Sequence, residues 1–354
     1  MYGLIRRNRR PTLLRRLVSA AQKDLPPAVA AEPTTLPSHH IFCAGTYTPV
    51  FARLAAETAL AACPTELRPD FRLFIHVDGV ASDQRADLLA WLREIPGAEV
   101  TYGLFGILSH DRIPGKWHQV MINDVVRQFR QEAHLAFIDA DLFIDGRAWW
   151  DVGRETLAPD VYSISAGIRG NRHLDIDGRT FFPIKTNLFT LNTGLHLSLN
   201  EQRFNKDARA LRRLGREFPA AALVAPNVDT LIAGSLRAQA HGLRVIDVDD
   251  RVDYCHVGGF SHLRINKFHG FDAPQNRATI EAWISRLRLL SRVLDLFLTR
   301  GWERFIDRDY RKNIAEARTF VAATPLLQEL TETVEPTRHE RVFERLFAAE
   351  AGGS

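Results

Sequence analysis

The chain has 354 residues, 45% of them hydrophobic, 25% charged and 9% aromatic. That is the composition of a packed globular protein, and it excludes a disordered chain, a collagen-like repeat and a disulfide scaffold. The net charge of +4 is unevenly placed: residues 1–23 carry Arg6, Arg7, Arg9, Arg10, Arg15, Arg16 and Lys23 with no carboxylate, a tail of +7, so the remainder sums to −3. A basic tail on a slightly acidic body is not the folded basic face that tracks nucleic acid, and nucleic acid is set aside as a partner. Cys43, Cys63 and Cys255 stand far apart, forming neither a disulfide framework nor a CxxC metal clamp, which points to a reducing compartment. No apolar run approaches the roughly 18 residues of a membrane span, and the basic N-terminus lacks the apolar stretch of a signal peptide. The expectation is a cytoplasmic protein.

Residues 1–37 read as a basic tail and linker. Leu13, Leu14, Leu17, Val18 and Ala21 share one helical face, with Arg15 and Arg16 on the polar side. This is the pattern of an amphipathic helix on an anionic membrane surface, so the tail predicts peripheral contact at the inner face of the membrane, with a solvated tail as the alternative. From Leu25 to Pro37 the chain is rich in Pro and Ala and reads as a linker.

From residue 38 to 273, strand-like and helix-like segments alternate, which predicts an α/β fold with a central sheet flanked by helices. Strands are expected over 41–45, 71–77, 99–105, 134–138, 161–168, 188–199 and 243–248. Helices are expected from Thr48-Pro49 to about Ala62, from Ser82 onward, and over 117–132, 201–218 and 228–240. Residues 274–354 change to helix only. There Ile280, Trp283, Ile284, Leu287, Leu290 and Val293 space out one apolar face, and Pro325 and Pro336 punctuate two further helices. That face predicts packing on the main domain or, alternatively, a homo-oligomer.

The strongest chemical signal is Leu135-Ala136-Phe137-Ile138-Asp139-Ala140-Asp141, a buried strand ending in two carboxylates. Open α/β sheets bind ligands at the carboxyl edge of the strands, and two adjacent carboxylates there call for a divalent cation such as Mn²⁺ or Mg²⁺. Asp-x-Asp also occurs at Asp175/Asp177, Asp247/Asp249 and Asp307/Asp309, so the triplet is specific only in its strand context; the Asp247 pair reads as a polar strand end. Asn192-Thr193-Gly194 places a glycine in an apolar run, where it marks either close approach of a ligand or a plain bulge. Asp229 falls in the first turn of a helix begun by Asn227, where a carboxylate also serves the dipole. His256 precedes Val257-Gly258-Gly259, glycines that let backbone fold tightly around a bound group. Lys116 opens a helix after Pro114-Gly115 and is a candidate phosphate cation.

In this order the pieces resemble a nucleotide-sugar glycosyltransferase of the GT-A fold, of the glycogenin and lipopolysaccharide galactosyltransferase type, over roughly His40 to Lys267. The resemblance implies a nucleoside diphosphate sugar as donor and a metal, held by Asp139, Asp141 and His256, that bridges the nucleotide diphosphate, so that Asp139 belongs to the donor-binding residues as well. It implies that Asn192 and Gly194 match the Asn-x-Gly strand and Gly259 the His-x-x-Gly, and that Asp229 lies by the reacting sugar, as general base if the reaction inverts or as positioner if it retains. Retention is the outcome of the type resembled. The Lys-Pro-Trp that follows in that group is replaced by Ser261-His262-Leu263-Arg264, so Arg264 or Lys267 stands in for the diphosphate lysine. Asp78 is placed to meet the nucleoside, and Thr46, Tyr47 and Thr48 to line the base. A glycan or glycolipid of the cell envelope fits as acceptor. The competing expectations are a haloacid dehalogenase-like phosphatase, which also ends a strand in Asp-x-Asp, and a binding module of the same fold without turnover.

Overall fold

The computed structural model describes residues 36–44, 48–78, 82–102, 117–156, 158–166, 174–176, 179–182, 184–199, 231–258 and 277–351. In chain order the first half holds β1 (Ser38–Ala44), α1 (Pro49–Ala62), β2 (Leu73–Asp78), α2 (Ser82–Arg93), β3 (Ala98–Tyr102), α3 (Trp117–Gln128), β4 (His134–Asp139), β5 (Leu142–Asp145) and α4 (Ala148–Thr156). There follow β6 (Val161–Ala166), β7 (Leu174–Ile176), β8 (Arg179–Phe181), β9 (Leu188–Asn192), α5 (Thr193–Ser198), α6 (Ile232–Ala240), β10 (Arg244–Asp247) and β11 (Asp253–His256). Four helices complete the chain: α7 (Arg277–Thr299), α8 (Arg308–Ala322), α9 (Pro325–Thr333) and α10 (Arg338–Ala351).

Seven strands form one mixed sheet in the order β10-β6-β9-β4-β1-β2-β3. β4, β1, β2 and β3 run parallel, β10 runs parallel to β6, and β9 lies antiparallel to both β4 and β6. Strands covered on both faces read as continuous apolar runs, and β4 is one: Leu135, Ala136, Phe137 and Ile138 are all fully buried. Alternate residues go to opposite cores. Leu135 and Phe137 join Met121, Ile122 and Val125 of α3 on one face, and Ala136 and Ile138 join the α1 side on the other.

The expected α/β sheet flanked by helices and the C-terminal helical region are both present. The apolar stripe of α7 is buried within the chain, and its Phe297 packs edge-on against Phe51 of α1 at 5.0 Å. The stripe read as a possible surface for self-association is therefore consumed by intrachain packing, and the helical region shares one hydrophobic core with the sheet. The expected strand over 188–199 is corrected: it ends at Asn192, whose Oδ1 accepts the Leu195 N–H at 2.9 Å and caps α5. The alternation of Leu195, Leu197 and Leu199 mimics a strand, but the asparagine cap decides the turn. Five elements went unread: the two four-residue strands β5 and β11, which pair antiparallel as a separate ribbon, the three-residue strands β7 and β8, which pair with each other, and α4. The tail 1–23, the helix expected over 201–218 and most of the linker lie outside the described residues.

Candidate metal centre

β4 ends at Asp139, Ala140-Asp141 makes a turn, and β5 begins at once. The chain thus leaves the sheet at its carboxyl edge, with Asp139 at the strand end and Asp141 on the turn. The ribbon brings the third group. His256 ends β11 opposite Leu142, and the Val257 N–H donates to the Asp141 carbonyl at 2.9 Å, which fixes the register of the two segments across 116 residues. His256 Nε2 lies 3.5 Å from Asp141 Oδ1 and 4.0 Å from Asp139 Oδ2. All three side chains are 22% exposed, so the cluster is half-buried and reachable from solvent.

Two neighbouring groups shape this cluster. The Gly258 N–H donates to Asp141 Oδ2 at 3.1 Å. Gly258 has φ of +50°, and a Cβ there would stand 3.0 Å from His256 Cε1, so only glycine lets the backbone close over the imidazole. Burial by itself would raise the Asp141 carboxyl, but the charge and hydrogen bond of His256 and the Gly258 amide outweigh it and hold Asp141 below the ordinary carboxylate range. On the other side, Asn187 Nδ2 lies 3.0 Å from His256 Nδ1, and the Asn187 carbonyl accepts the Asp139 N–H at 2.8 Å. Asn187 therefore ties the imidazole to the strand that carries the first carboxylate.

One oxygen from each of Asp139 and Asp141 and one nitrogen of His256 lie within 4.8 Å of one another, the only such His, Cys, Asp or Glu grouping among the described residues. Ligand bonds of about 2.1 Å place two ligands of one ion roughly 3–4 Å apart, the spacing seen from Nε2 to both carboxylates. The donor set of two carboxylate oxygens and one imidazole suits a divalent cation. Two of the other three Asp-x-Asp triplets have structural employment, and the third, Asp175/Asp177, lies partly outside the described residues. Asp247 Oδ1 accepts the Asp249 N–H, Asp249 accepts the Tyr254 hydroxyl at 2.6 Å, and Asp307 caps α8.

The structure brings together Asp139, Asp141 and His256, the three residues expected to hold the metal. It separates Asn192 from them: β9 runs antiparallel to β4, so Asn192 pairs with His134 at the opposite edge of the sheet. Gly194 follows into α5, where a Cβ would stand 3.6 Å from Asn192 Oδ1 and so would meet no crowding from the described chain. Asn187, five residues earlier, is the asparagine that stands beside the cluster. The ends of β1 at Ala44 and of β2 at Asp78 reach the same edge as Asp139, Asp78 being one strand beyond β1, which adjoins β4. Thr48 is the N-cap residue of α1 without a side-chain capping bond. Thr46, Tyr47, Lys116, Asp229, Gly259, Arg264 and Lys267 lie outside the described residues.

No family model matches the chain, and no curated protein does. Among solved structures it is similar to a mannosyltransferase from Pyrobaculum calidifontis in complex with GDP-Man and Mn²⁺, at 13% identity and TM-score 0.38 over 96% of this chain and 95% of that one. It is also similar to mouse xyloside xylosyltransferase 1, at 12% identity and TM-score 0.39 over 60% of this chain and 85% of that one. A third likeness, to the bifunctional glycosyltransferase WbbM, has 10% identity and TM-score 0.35 over 53% of this chain, which spans only 36% of WbbM. All three are glycosyltransferases. Scores of this size add nothing to the residue assignments, which rest on the geometry of the centre itself. No helix among the described residues is long and apolar enough to cross a membrane.

Proposed function

We propose that the chain is a metal-dependent glycosyltransferase that moves a sugar from a nucleoside diphosphate sugar to a hydroxyl group of a glycan or glycolipid acceptor. The observation that carries this reading is the Asp139, Asp141 and His256 cluster at the carboxyl edge of the sheet, where a ligand has access to three divalent-cation donors. A bound Mn²⁺ or Mg²⁺ would offset the charge on the departing diphosphate. This chain's own residues do the rest. Asp139 and Asp141 supply negative charge that confines the ion to one corner of the edge, and Asn187 fixes the imidazole plane. Were Nε2 to hold an ion, Nδ1 would keep its hydrogen and donate a hydrogen bond to the side-chain oxygen of Asn187, an amide being able to present either atom.

In this reading Asp78, Thr46, Tyr47 and Thr48 line the nucleoside side of the edge, and Lys116, Arg264 or Lys267 meet the diphosphate. Asp229 deprotonates the acceptor or positions the sugar, according to the stereochemical course; retention is the course we favour. The phosphatase alternative draws on the strand-end carboxylates alone and leaves His256 and Gly258 without a part.

The test is thermal stabilisation by a panel of nucleoside diphosphates and their sugars, each with Mn²⁺, with Mg²⁺ and with chelator, because ligands of the native state raise apparent stability. We expect one nucleotide to shift the melting temperature only with metal present. A folded protein that no member of the panel stabilises would remove the transferase reading.

A further inference from the structure

We propose that the first turn of α10 is the positioning element of the metal centre, with His339 capping the open edge of the strand that ends in His256. The inference rests on the metal reading of that cluster. Among the described residues β11 pairs only with β5, so its far edge lacks a neighbouring strand. The ladder bond from Val257 to Asp141 sets the phase of the ribbon and turns the Tyr254 carbonyl and the His256 N–H toward that empty side. A buried edge needs partners for such groups. His339 Nδ1 lies 3.3 Å from each of them, accepting from the His256 N–H in one tautomer or donating to the Tyr254 carbonyl in the other. The two imidazoles stand nearly perpendicular, with centroids 6.4 Å apart.

The turn that carries His339 is itself held. Thr337 and Glu340 form a capping box: Glu340 Oε2 accepts the Thr337 N–H at 2.8 Å, and Thr337 Oγ1 accepts the Glu340 N–H at 3.3 Å. Glu340 is 1% exposed and receives Arg288 Nε of α7 at 2.8 Å, so the turn is anchored in the core. Arg338, beside His339, grips the chain where it enters the same strand. Arg338 donates to the Asp249 carbonyl at 2.9 Å and to the Val252 carbonyl, and its guanidinium lies over the Tyr254 ring. Further along the helix, Arg345 bridges Asp145 and Asp253, two carboxylates directly opposite in the ribbon that would otherwise repel. Metal ligands depend on the groups that orient them, and loss of such a group costs about 10–100-fold in affinity.

The test is Mn²⁺ titration of the full chain by calorimetry and by electron paramagnetic resonance, with melting temperature measured in parallel. We expect His339→Ala to weaken Mn²⁺ about tenfold or more. His339→Asn, which keeps a donor or acceptor at the δ position, should stay within about threefold of the unsubstituted protein. Unchanged affinity in His339→Ala, or equal losses in both variants, would overturn the inference. Should His339→Ala be unfolded at the assay temperature, Arg345→Gln takes its place under the same reading: weaker Mn²⁺ binding supports the brace and unchanged binding overturns it. An unsubstituted, folded protein that binds no Mn²⁺ brings down the metal reading itself, and the inference with it.

Discussion

Asn187 immediately precedes β9 and Asn192 ends it, and each asparagine meets a histidine. At one edge of the sheet Asn187 Nδ2 lies 3.0 Å from His256; at the other Asn192 Nδ2 lies 3.3 Å from His134. The pairs are chemically alike and do different things. Beside His256 stand two carboxylates on a turn and a glycine that folds over the ring. Beside His134 a helix begins, and Asn192 spends its carbonyl on capping it. The carboxyl edge of a parallel sheet is where chains turn outward and leave room for a ligand, while the opposite edge is closed by structure. Position in the sheet, rather than residue type, separates the two asparagines.

The comparison breaks most sharply at the carboxylates. Asp141→Asn should reduce Mn²⁺ affinity by more than about 100-fold in calorimetry while the far-UV circular dichroism spectrum is unchanged, since the residue is a donor rather than a core group. An undiminished affinity would dissolve the distinction between the two edges. Next in size, Gly258→Ala forces a methyl group against the imidazole and strains a left-handed backbone, and we expect Mn²⁺ affinity to fall at least tenfold with a lowered melting temperature. The two asparagines then give the direct contrast. Asn187→Ala should weaken Mn²⁺ about tenfold, whereas Asn192→Ala should leave it unchanged and cost roughly 1 kcal/mol in denaturant unfolding for the lost cap.

The smallest effect is a slope. Burial lowers the His134 pKa from 6.5 to about 4, so the folded protein keeps the ring neutral while the unfolded chain protonates it. The unfolded state then binds more protons below pH 6.5, so this contribution is fully present above 6.5 and is lost as pH falls from 6.5 toward 4. Buried His39 and His76, also lowered to about 4, add the same dependence. Each histidine contributes a slope approaching about 1.4 kcal/mol per pH unit within that window. Urea unfolding of His134→Gln between pH 6.5 and 4 should be shallower by one such increment, and an identical slope would show that His134 is not held neutral by the fold.

Much of the sheet could be read in advance because its strands are continuous apolar runs and β4 ends in charge. The stripe of α7 was legible for the same reason, with six apolar residues at helical spacing, all of them buried. The ribbon was not: four residues are too few to show a period, and Asp253-Tyr254-Cys255-His256 has no alternation to betray its pairing. Asn187 gave no signal because it sits in Lys185-Thr186-Asn187 without a neighbouring glycine, while Asn192-Thr193-Gly194 has one and drew the assignment to the wrong edge. The metal ligands were found from a strand end and a histidine before glycines. What orients them depends on tertiary neighbours, with one exception: Thr337 and Glu340 carry a capping signature in the sequence itself.

Synthesis delivers the parts of this centre in a fixed order. Asp139 and Asp141 leave the ribosome first, His256 more than a hundred residues later, and the turn that holds His339 some eighty residues after that. Domains begin to fold as they emerge, so the parallel strands can pair while the brace for β11 is still unmade. A chain paused ahead of Arg338 would therefore hold all three candidate ligands and lack the turn that braces β11.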